Sequence, residues 1–247
     1  MKESKVWEST MLKRETTLLV AVGLLLVISG HGFGQSSTAE KEMWSAVRAN
    51  FDLKPRIGVQ VSVEKHNGED ASLSQWKVGT IFSYRMSRIL TKLRDDIDGE
   101  NKYNLVVGGG YEFIHTDQTN GTKREHRVII QTTPKFIPGG GVLLQNRSRG
   151  EFRWVDGVYN FRYRNRLTAD RPLKINRVRF TPYASGELLW DRNHHAWNEN
   201  KYAFGVQLPY KKRLMLDTYY LRQNCTTCSQ DPVSVFGFSI NFYFRRK

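Results

Sequence analysis

The sequence has few of the residues and patterns that mark the commoner protein classes. It contains only two cysteines among its 247 residues, so no cysteine cage for zinc can be completed. The longest apolar run extends from Leu18 to Ile28, well short of the roughly 20 residues that a membrane-spanning helix needs. No stretch shows a convincing helical period, and no signature of an RNA- or DNA-binding module is present. These absences argue against a zinc domain, a helical membrane protein and a nucleic-acid partner.

The apolar run near the N-terminus has the layout of a secretory signal peptide. Basic residues at 13–14 precede it, and the small-x-small sequence at 32–34 offers a cleavage site. We therefore predict a cleaved signal peptide over residues 1–34, with Met11 as an alternative start. A retained signal anchor is the other interpretation, which the shortness of the run disfavours.

Export changes the interpretation of the two cysteines, Cys225 and Cys228. A pair with this spacing could be a redox dithiol, half of a zinc site or a local disulfide. No second pair completes a zinc site, and no βαβ pattern surrounds this one. Because exported proteins fold in an oxidising compartment, we predict a loop disulfide between Cys225 and Cys228.

Most of the chain after residue 54 alternates between apolar and polar side chains, which is the period of a β-strand. The clearest case is Val233 to Phe244, and nine earlier stretches show the same alternation. Its apolar face carries Phe236, Phe238, Ile240, Phe242 and Phe244. Such a closing strand is typical of the segment that the outer-membrane barrel-assembly machinery reads. The pattern predicts an all-β, antiparallel up-and-down transmembrane β-barrel of about 10–12 strands.

This interpretation divides the chain into four parts. The signal peptide is followed by an N-terminal periplasmic or packing segment at residues 35–54, because the alternation there is poor. The barrel occupies residues 55–244, and a basic tail occupies residues 245–247.

Charged residues follow the strands on the face opposite the apolar side chains. A soluble sandwich would turn those charges to water, whereas a membrane barrel turns them to its lumen. The aromatic content of 12% and the closing strand favour the barrel. A barrel of this size is expected to hold crowded arginine–carboxylate pairs rather than an open pore. The predicted lumen residues are Arg147, Arg149, Arg153, Arg162, Arg164, Arg166, Arg177, Arg179, Glu64, Glu112, Glu151, Glu187 and Asp217.

Four short motifs occur in order along the second half of the chain: N-F-R-Y-R-N-R-L, T-P-Y-A-S-G-E-L-L, K-Y-A-F-G-V-Q-L and Y-L-R-Q. Their anchors are Arg164, Arg166, Tyr183, Glu187, Tyr220, Arg222 and Gln223. With these motifs the chain, from Trp44 to Phe244, resembles bacterial proteins catalogued only as a domain of unknown function and predicted to be outer-membrane β-barrels. The resemblance implies a fold and a location, and no established activity. The basic tail after Phe244 departs from the family pattern of a terminal phenylalanine.

We therefore expect a non-enzymatic outer-membrane barrel that is structural or forms a narrow passage for small, anionic solutes, since arginines in a lumen favour anions. Outer-membrane lipid, the barrel-assembly machinery and such a solute are the expected partners. One alternative is an outer-membrane lipid-modifying hydrolase that uses His126 and Ser148, which a serine-directed probe would label. Another is a soluble exported β protein that binds an acidic ligand, which salt or carbonate would release from membranes.

We predict no cofactor and no metal site. The sequence around Asp191, His194 and His195 lacks the ligand number and spacing that a metal centre needs.

Overall fold

The structure, a computed structural model, describes residues 40–69, 73–86, 97–119, 121–176, 178–211, 213–226 and 232–245. The predicted signal peptide, Arg177, Cys228 and the last two residues of the basic tail lie outside these ranges. Signal-peptide cleavage therefore stays a prediction.

The described chain is built almost wholly of β-strands. They are β1 (Lys41–Lys54), β2 (Ile57–Gly68), β3 (Leu73–Met86), β4 (Leu105–Gln118), β5 (Gly121–Gly139), β6 (Val142–Val155), β7 (Val158–Asp170), β8 (Leu173–Ile175), β9 (Val178–Asp191), β10 (Ala196–Tyr210), β11 (Leu214–Cys225) and β12 (Val233–Arg245). One short 3-10 helix, Gly99–Lys102, precedes β4. Nowhere in the described ranges is there a helix long and apolar enough to cross a membrane.

Eleven of these strands close into a barrel in which each strand pairs with its neighbours along the chain. The sheet runs from β1 to β7, continues through β9 to β12, and returns to β1. The short β8 pairs only with the first residues of β9, from Leu173↔Phe180 to Ile175↔Val178, and lies outside this circuit. The predicted all-β barrel of 10–12 strands is confirmed.

The odd strand number decides how the barrel closes. Consecutive antiparallel strands alternate in direction, so the first and the eleventh strand of the circuit must run the same way. Strands β1 and β12 accordingly pair in parallel, from Lys41↔Ser234 to Asp52↔Arg245, whereas every other pair in the circuit is antiparallel. The expectation of a fully antiparallel barrel is therefore wrong at this one seam. Bacterial single-chain barrels ordinarily have an even number of strands, which avoids such a pair.

The seam also changes the predicted domain boundary for the described residues. Residues 41–54 were expected in the N-terminal packing segment, but they form β1 and join β12 to β2. The side chain of Arg48 crosses the seam, donating to Ser239 Oγ at 3.1 Å and to Glu64 Oε1 at 2.9 Å. The weak alternation of β1 reflects inward residues as different as Trp44, Ala46 and Arg48, which face different surroundings in the lumen.

Alternation sorts the side chains between the two faces of the barrel wall. Large apolar residues point outward, with Phe82, Ile130 and Phe204 exposed by 58%, 58% and 66%. Charged residues point inward and are buried, and Arg127 and Glu151 are 7% and 0% exposed. The wall therefore presents an apolar outside and a polar inside, the reverse of a soluble protein.

Two glycines on the inner face make room for tyrosine rings from neighbouring strands. Tyr219 of β11 lies against Gly237 of β12, and Tyr183 of β9 lies against Gly205 of β10. A Cβ atom at either glycine would overlap the ring that covers it. These rings cover inner-wall surface that the glycines leave bare.

We predict that Gly237→Ala destabilises the folded barrel by about 1–3 kcal/mol, the usual cost of overpacking. Gly186→Ala is the matched control, because the nearest atom to its new Cβ would be 3.8 Å away, on Tyr202. The free energy of unfolding in urea, measured on detergent-folded protein, checks both variants. Equal stability of the two variants would contradict the packing of Tyr219 against Gly237.

Candidate functional site in the barrel lumen

The inward faces of β6 and β7 bring arginines directly opposite one another. Arg147 lies across from Arg166, and Arg149 lies across from Arg164. Like charges in such cross-strand pairs destabilise a sheet unless counter-charges separate them. The fold at this point therefore depends on carboxylates supplied from other positions.

Two buried glutamates supply this counter-charge. Glu187 of β9 accepts hydrogen bonds from Arg164 Nε and Nη2 at 2.9 and 3.0 Å, and from Arg166 Nη2 at 2.7 Å. Glu151 of β6 accepts from Arg164 Nη1 at 3.0 Å. The fork of Arg164 thus joins both carboxylates, and charge-assisted bidentate bonds of this kind are the stronger class in proteins.

The same pattern continues toward β4 and β5. Arg127 contacts Glu112, Glu125 and Glu151, with N–O distances of 3.3, 2.8 and 3.4 Å. Arg153 makes a two-pronged contact with Glu125 at 2.6 and 2.9 Å.

The chain of pairs ends at Asp191 on β9. This carboxylate lies 3.6 Å from Arg153 and 3.4 Å from Arg162, and accepts from Asn160. We call the linked set the arginine network; its members are Arg127, Arg147, Arg149, Arg153, Arg162, Arg164, Arg166, Glu112, Glu125, Glu151, Glu187 and Asp191.

Two network carboxylates, Glu125 and Asp191, are absent from the predicted lumen residues, and Asp191 was considered only as a metal ligand. The alternation along the strands does predict the inward position of both residues. Glu125 is two residues before Arg127, and Asp191 is four residues after Glu187, so both lie on the inward face of their strands. When only apolar residues are used to recognise a strand, a strand that ends in polar residues is predicted too short.

Not every predicted lumen residue joins the network. Glu64 pairs instead with Arg48 and Lys77, and Asp217 accepts from the Tyr183 hydroxyl at 3.1 Å. Arg179 does not enter the lumen, since its side chain is exposed on the β8–β9 hairpin, beyond the part of β9 that pairs with β7 and β10. Arg179 lies on the inward phase of β9 as predicted, but at this position β9 is no longer paired with the other strands of the barrel wall. Arg177 lies outside the described residues.

The network packs the middle of the lumen. Arg127, Arg149 and Glu187 are 7%, 8% and 3% exposed. A barrel of eleven strands stands between the small barrels that side chains fill and the large ones with open channels. At the level of the arginine network, side chains fill the lumen of this barrel, as they do in the smaller barrels.

Below the network lies a cavity of about 260 Å³, at the end of the barrel where β1 finishes and β2 begins. Its basic wall consists of Arg147, Arg149 and Arg166, joined by Lys135. Its opposite wall includes Asp52, Arg85 and Glu100. This cavity separates the arginine network from the segment that covers the barrel end.

That covering segment is residues 97–104, which we call the cap. Glu100 accepts from Ser83 Oγ at 2.6 Å, and Tyr103 donates through its hydroxyl to the Pro55 carbonyl oxygen at 2.6 Å. Lys135 Nζ donates to Asn101 Oδ1 at 3.1 Å. The cap is therefore fastened to side chains and turns of three different strands or hairpins at this end.

The proposed hydrolase pair is not assembled. His126 lies opposite Trp154, whereas Ser148 lies opposite Thr132. The two positions are six residues apart along the β5–β6 ladder, roughly 20 Å at about 3.3 Å per residue. Ser148 Oγ instead accepts from Tyr163 and Asn165 on the outer face. A serine–histidine mechanism needs direct hydrogen-bond reach, which this pair lacks.

The remaining predicted features are placed as follows. Phe236, Phe242 and Phe244 of β12 are exposed on the outer face, while Phe238 and Ile240 between them are half-buried. Cys225 ends β11, and its expected partner is outside the described residues, so the disulfide stays a prediction. In the described ranges no three His, Cys, Asp or Glu side chains are grouped to hold a metal ion; Asp191 is occupied by its network partners.

Comparison with known protein families finds a match for this chain. A family model described as "Protein of unknown function (DUF2490)" matches residues 41–232, consistent with the resemblance that the motifs suggested. No curated protein matches the chain.

Two solved structures are similar to the chain, each at 7% identity. "LpxR from Salmonella typhimurium" has a TM-score of 0.46, with 76% of this chain and 83% of that chain covered. "Bacterial polysaccharide outer membrane secretin" has a TM-score of 0.44, with 75% of this chain and 63% of that chain covered.

We predict that Glu187→Gln destabilises the barrel by about 3–5 kcal/mol, because buried arginines then lose a shared counter-charge. Asp117→Asn is the control: its carboxylate is 53% exposed and pairs with His115, and loss of such a surface pair costs below about 1 kcal/mol. Urea unfolding of detergent-folded protein measures both changes. A Glu187→Gln variant as stable as Asp117→Asn would show that the network does not depend on this carboxylate.

Proposed function

The chain belongs to the family described as Protein of unknown function (DUF2490), and we propose that it is a non-catalytic outer-membrane β-barrel that gives small, anionic solutes a narrow passage. The proposal places the protein in outer-membrane lipid after export and assigns its insertion to the barrel-assembly machinery.

The apolar outer wall is the single observation that carries the membrane assignment. Exposed large side chains occur on strands all around the circuit, among them Phe51 on β1, Trp76 on β3, Trp154 on β6 and Tyr202 on β10. A monomeric soluble protein rarely exposes so continuous an apolar surface. Lipid is the solvent that suits this outside, and the aromatic residues suit its interfaces.

The charge of the arginine network supports an anionic solute. This network contains seven arginines and five carboxylates, so positive charge is in excess within it. Fixed positive charge in a narrow lumen favours anions over cations. Because the network packs the middle of the barrel, the passage is expected to conduct weakly.

A purely structural barrel is the second possibility, and the packed network supports it. In that case the arginines serve only to specify the interior, as buried ion pairs do in some proteins. The two possibilities differ in whether an ion can cross the network.

The location is tested by fractionation of cells that express the full chain. We expect the protein in the outer-membrane fraction, retained after washing with carbonate or high salt, since its apolar wall is in contact with lipid acyl chains. Release of folded protein by either wash would contradict the membrane assignment and favour a soluble β protein.

The passage is tested by planar-bilayer recording of the refolded protein. We expect a small but stable conductance whose reversal potential in a salt gradient indicates anion preference. Arg147→Gln should reduce that preference, because it removes a positive charge from the cavity wall. Stable bilayer insertion with no conductance would leave the structural role, and cation preference would contradict the passage as proposed.

A further inference from the structure

We propose that the cavity between the arginine network and the cap is a binding site for a small, multiply charged oxyanion of the phosphate class. The inference rests on the proposed passage role and narrows its solute. The argument depends on unused hydrogen-bond donors, on the local charge and on the size of the cavity.

Arg147 has hydrogen-bond donors that the rest of the protein does not use. Its guanidinium lines the cavity and makes no hydrogen bond to the other described residues. Its nearest counter-charge is Glu187 Oε1, at 3.6 Å from Nη2, beyond hydrogen-bond distance. The Arg147 side chain is 25% exposed, so its guanidinium is accessible from the cavity. Polar groups of this kind are almost always satisfied in native proteins, so a bound group is expected beside Arg147.

The charge of this wall identifies the bound group as an anion. Glu187 already receives both prongs of Arg164 and a bond from Arg166, so Arg147 contributes a third guanidinium to one carboxylate. Arg149 adds a fourth positive group, whose Nε and Nη2 donate to the neutral Gln131 while its Nη1 lies 3.7 and 3.9 Å from Glu112 and Glu151. Glu187 is thus shared by three guanidinium groups, and an anion in the cavity would add counter-charge beside Arg147, whose one ion pair is with Glu187 at 3.6 Å.

The acidic residues of the opposite wall do not neutralise this surplus. Asp52 and Glu100 both pair with Arg85, at 2.7 and 3.6 Å. Asp98 accepts from the backbone N–H of Glu100 and caps the 3-10 helix. The basic wall and the acidic wall are thus separate, and Arg147 on the basic wall keeps donors that can hold a ligand.

Lys135 completes the basic side from β5. It is 5% exposed, and its ammonium group donates to the neutral amide oxygen of Asn101. Among the described residues its ammonium forms no ion pair. A lysine of this kind supplies a point charge beside the planar forks of the arginines, a combination that suits phosphate.

The size of the cavity limits the ligand. At about 260 Å³ it is smaller than the roughly 300–1,000 Å³ of sites for drug-sized molecules. It therefore fits a single phosphate-sized group with its water better than a large metabolite. A multiply charged oxyanion is favoured over chloride, because it accepts from several donors at once.

Isothermal titration calorimetry of the detergent-folded full chain with inorganic phosphate tests the site. We expect saturable binding, with chloride failing to compete at the same ionic strength. Arg147→Gln should weaken phosphate binding by about tenfold or more, the loss of one charge-assisted contact. Arg147→Lys should fall between the two, since it keeps the charge and loses the fork.

The control is Arg124→Gln, which makes the same chemical change at an exposed position on β5, outside the cavity lining. It should bind phosphate like the unmodified protein. If Arg147→Gln fails to fold, as judged by heat-modifiable gel migration, Lys135→Gln replaces it with the same expected weakening. Absent binding, or equal binding by the cavity variants and the control, would show that water alone fills the cavity and overturn the site.

Phosphate uptake into liposomes that contain the barrel separates the site from the passage. Binding without uptake would keep the site and reject the passage. Uptake without binding would reject the site and keep the passage. Binding and uptake that both fall in Arg147→Gln, and not in Arg124→Gln, are the results expected when both proposals are correct.

Discussion

The structure depends on carboxylates that hold opposed arginines together inside a closed wall. Two arginine pairs face each other across β6 and β7, an arrangement that repulsion would open in a free hairpin. Glu187 of β9 and Glu151 of β6 make it stable, because each accepts from arginines on a neighbouring strand. The counter-charge of Glu187 arrives only when β9 is paired, so this region of the wall and the network must form together.

Closure of the wall places a second constraint on the fold. Hairpin connections between eleven strands leave the two terminal strands running the same way, so the barrel is sealed by its one parallel pair. Parallel pairing is slightly weaker per residue than antiparallel pairing. The hydrogen bonds of Arg48 to both sides of β1 add side-chain connections at this seam.

Charge is distributed unevenly along the lumen. In the middle of the network the carboxylates Glu112, Glu125 and Glu151 surround Arg127. At the cavity the balance fails, since Arg147 and Arg166 share a carboxylate that Arg164 already engages. A filled lumen and an under-compensated basic wall therefore lie next to each other, and the proposed anion site rests on this arrangement.

The sequence by itself determined the fold class and the two faces of the wall, because a period of two leaves each residue only two directions. It identified Arg164, Glu187 and Glu151 as inward residues for that reason. It did not assign β1 to the barrel, because the inward residues of this strand are too varied for a clear alternation, and it did not place Glu125 and Asp191 in the lumen. It placed Arg179 in the lumen, since alternation continues along β9 after the wall has ended.

Only the tertiary structure decided which charged side chains form ion pairs and which lack a full counter-charge. Ion pairs in this lumen join strands that are far apart in sequence, as Arg153 joins Glu125 and Asp191, and register fixes those meetings. The same holds for the cavity, whose walls come from most of the strands and from the cap. Alternation states the face of a residue, but its partner depends on how neighbouring strands are aligned, which a one-dimensional pattern does not contain.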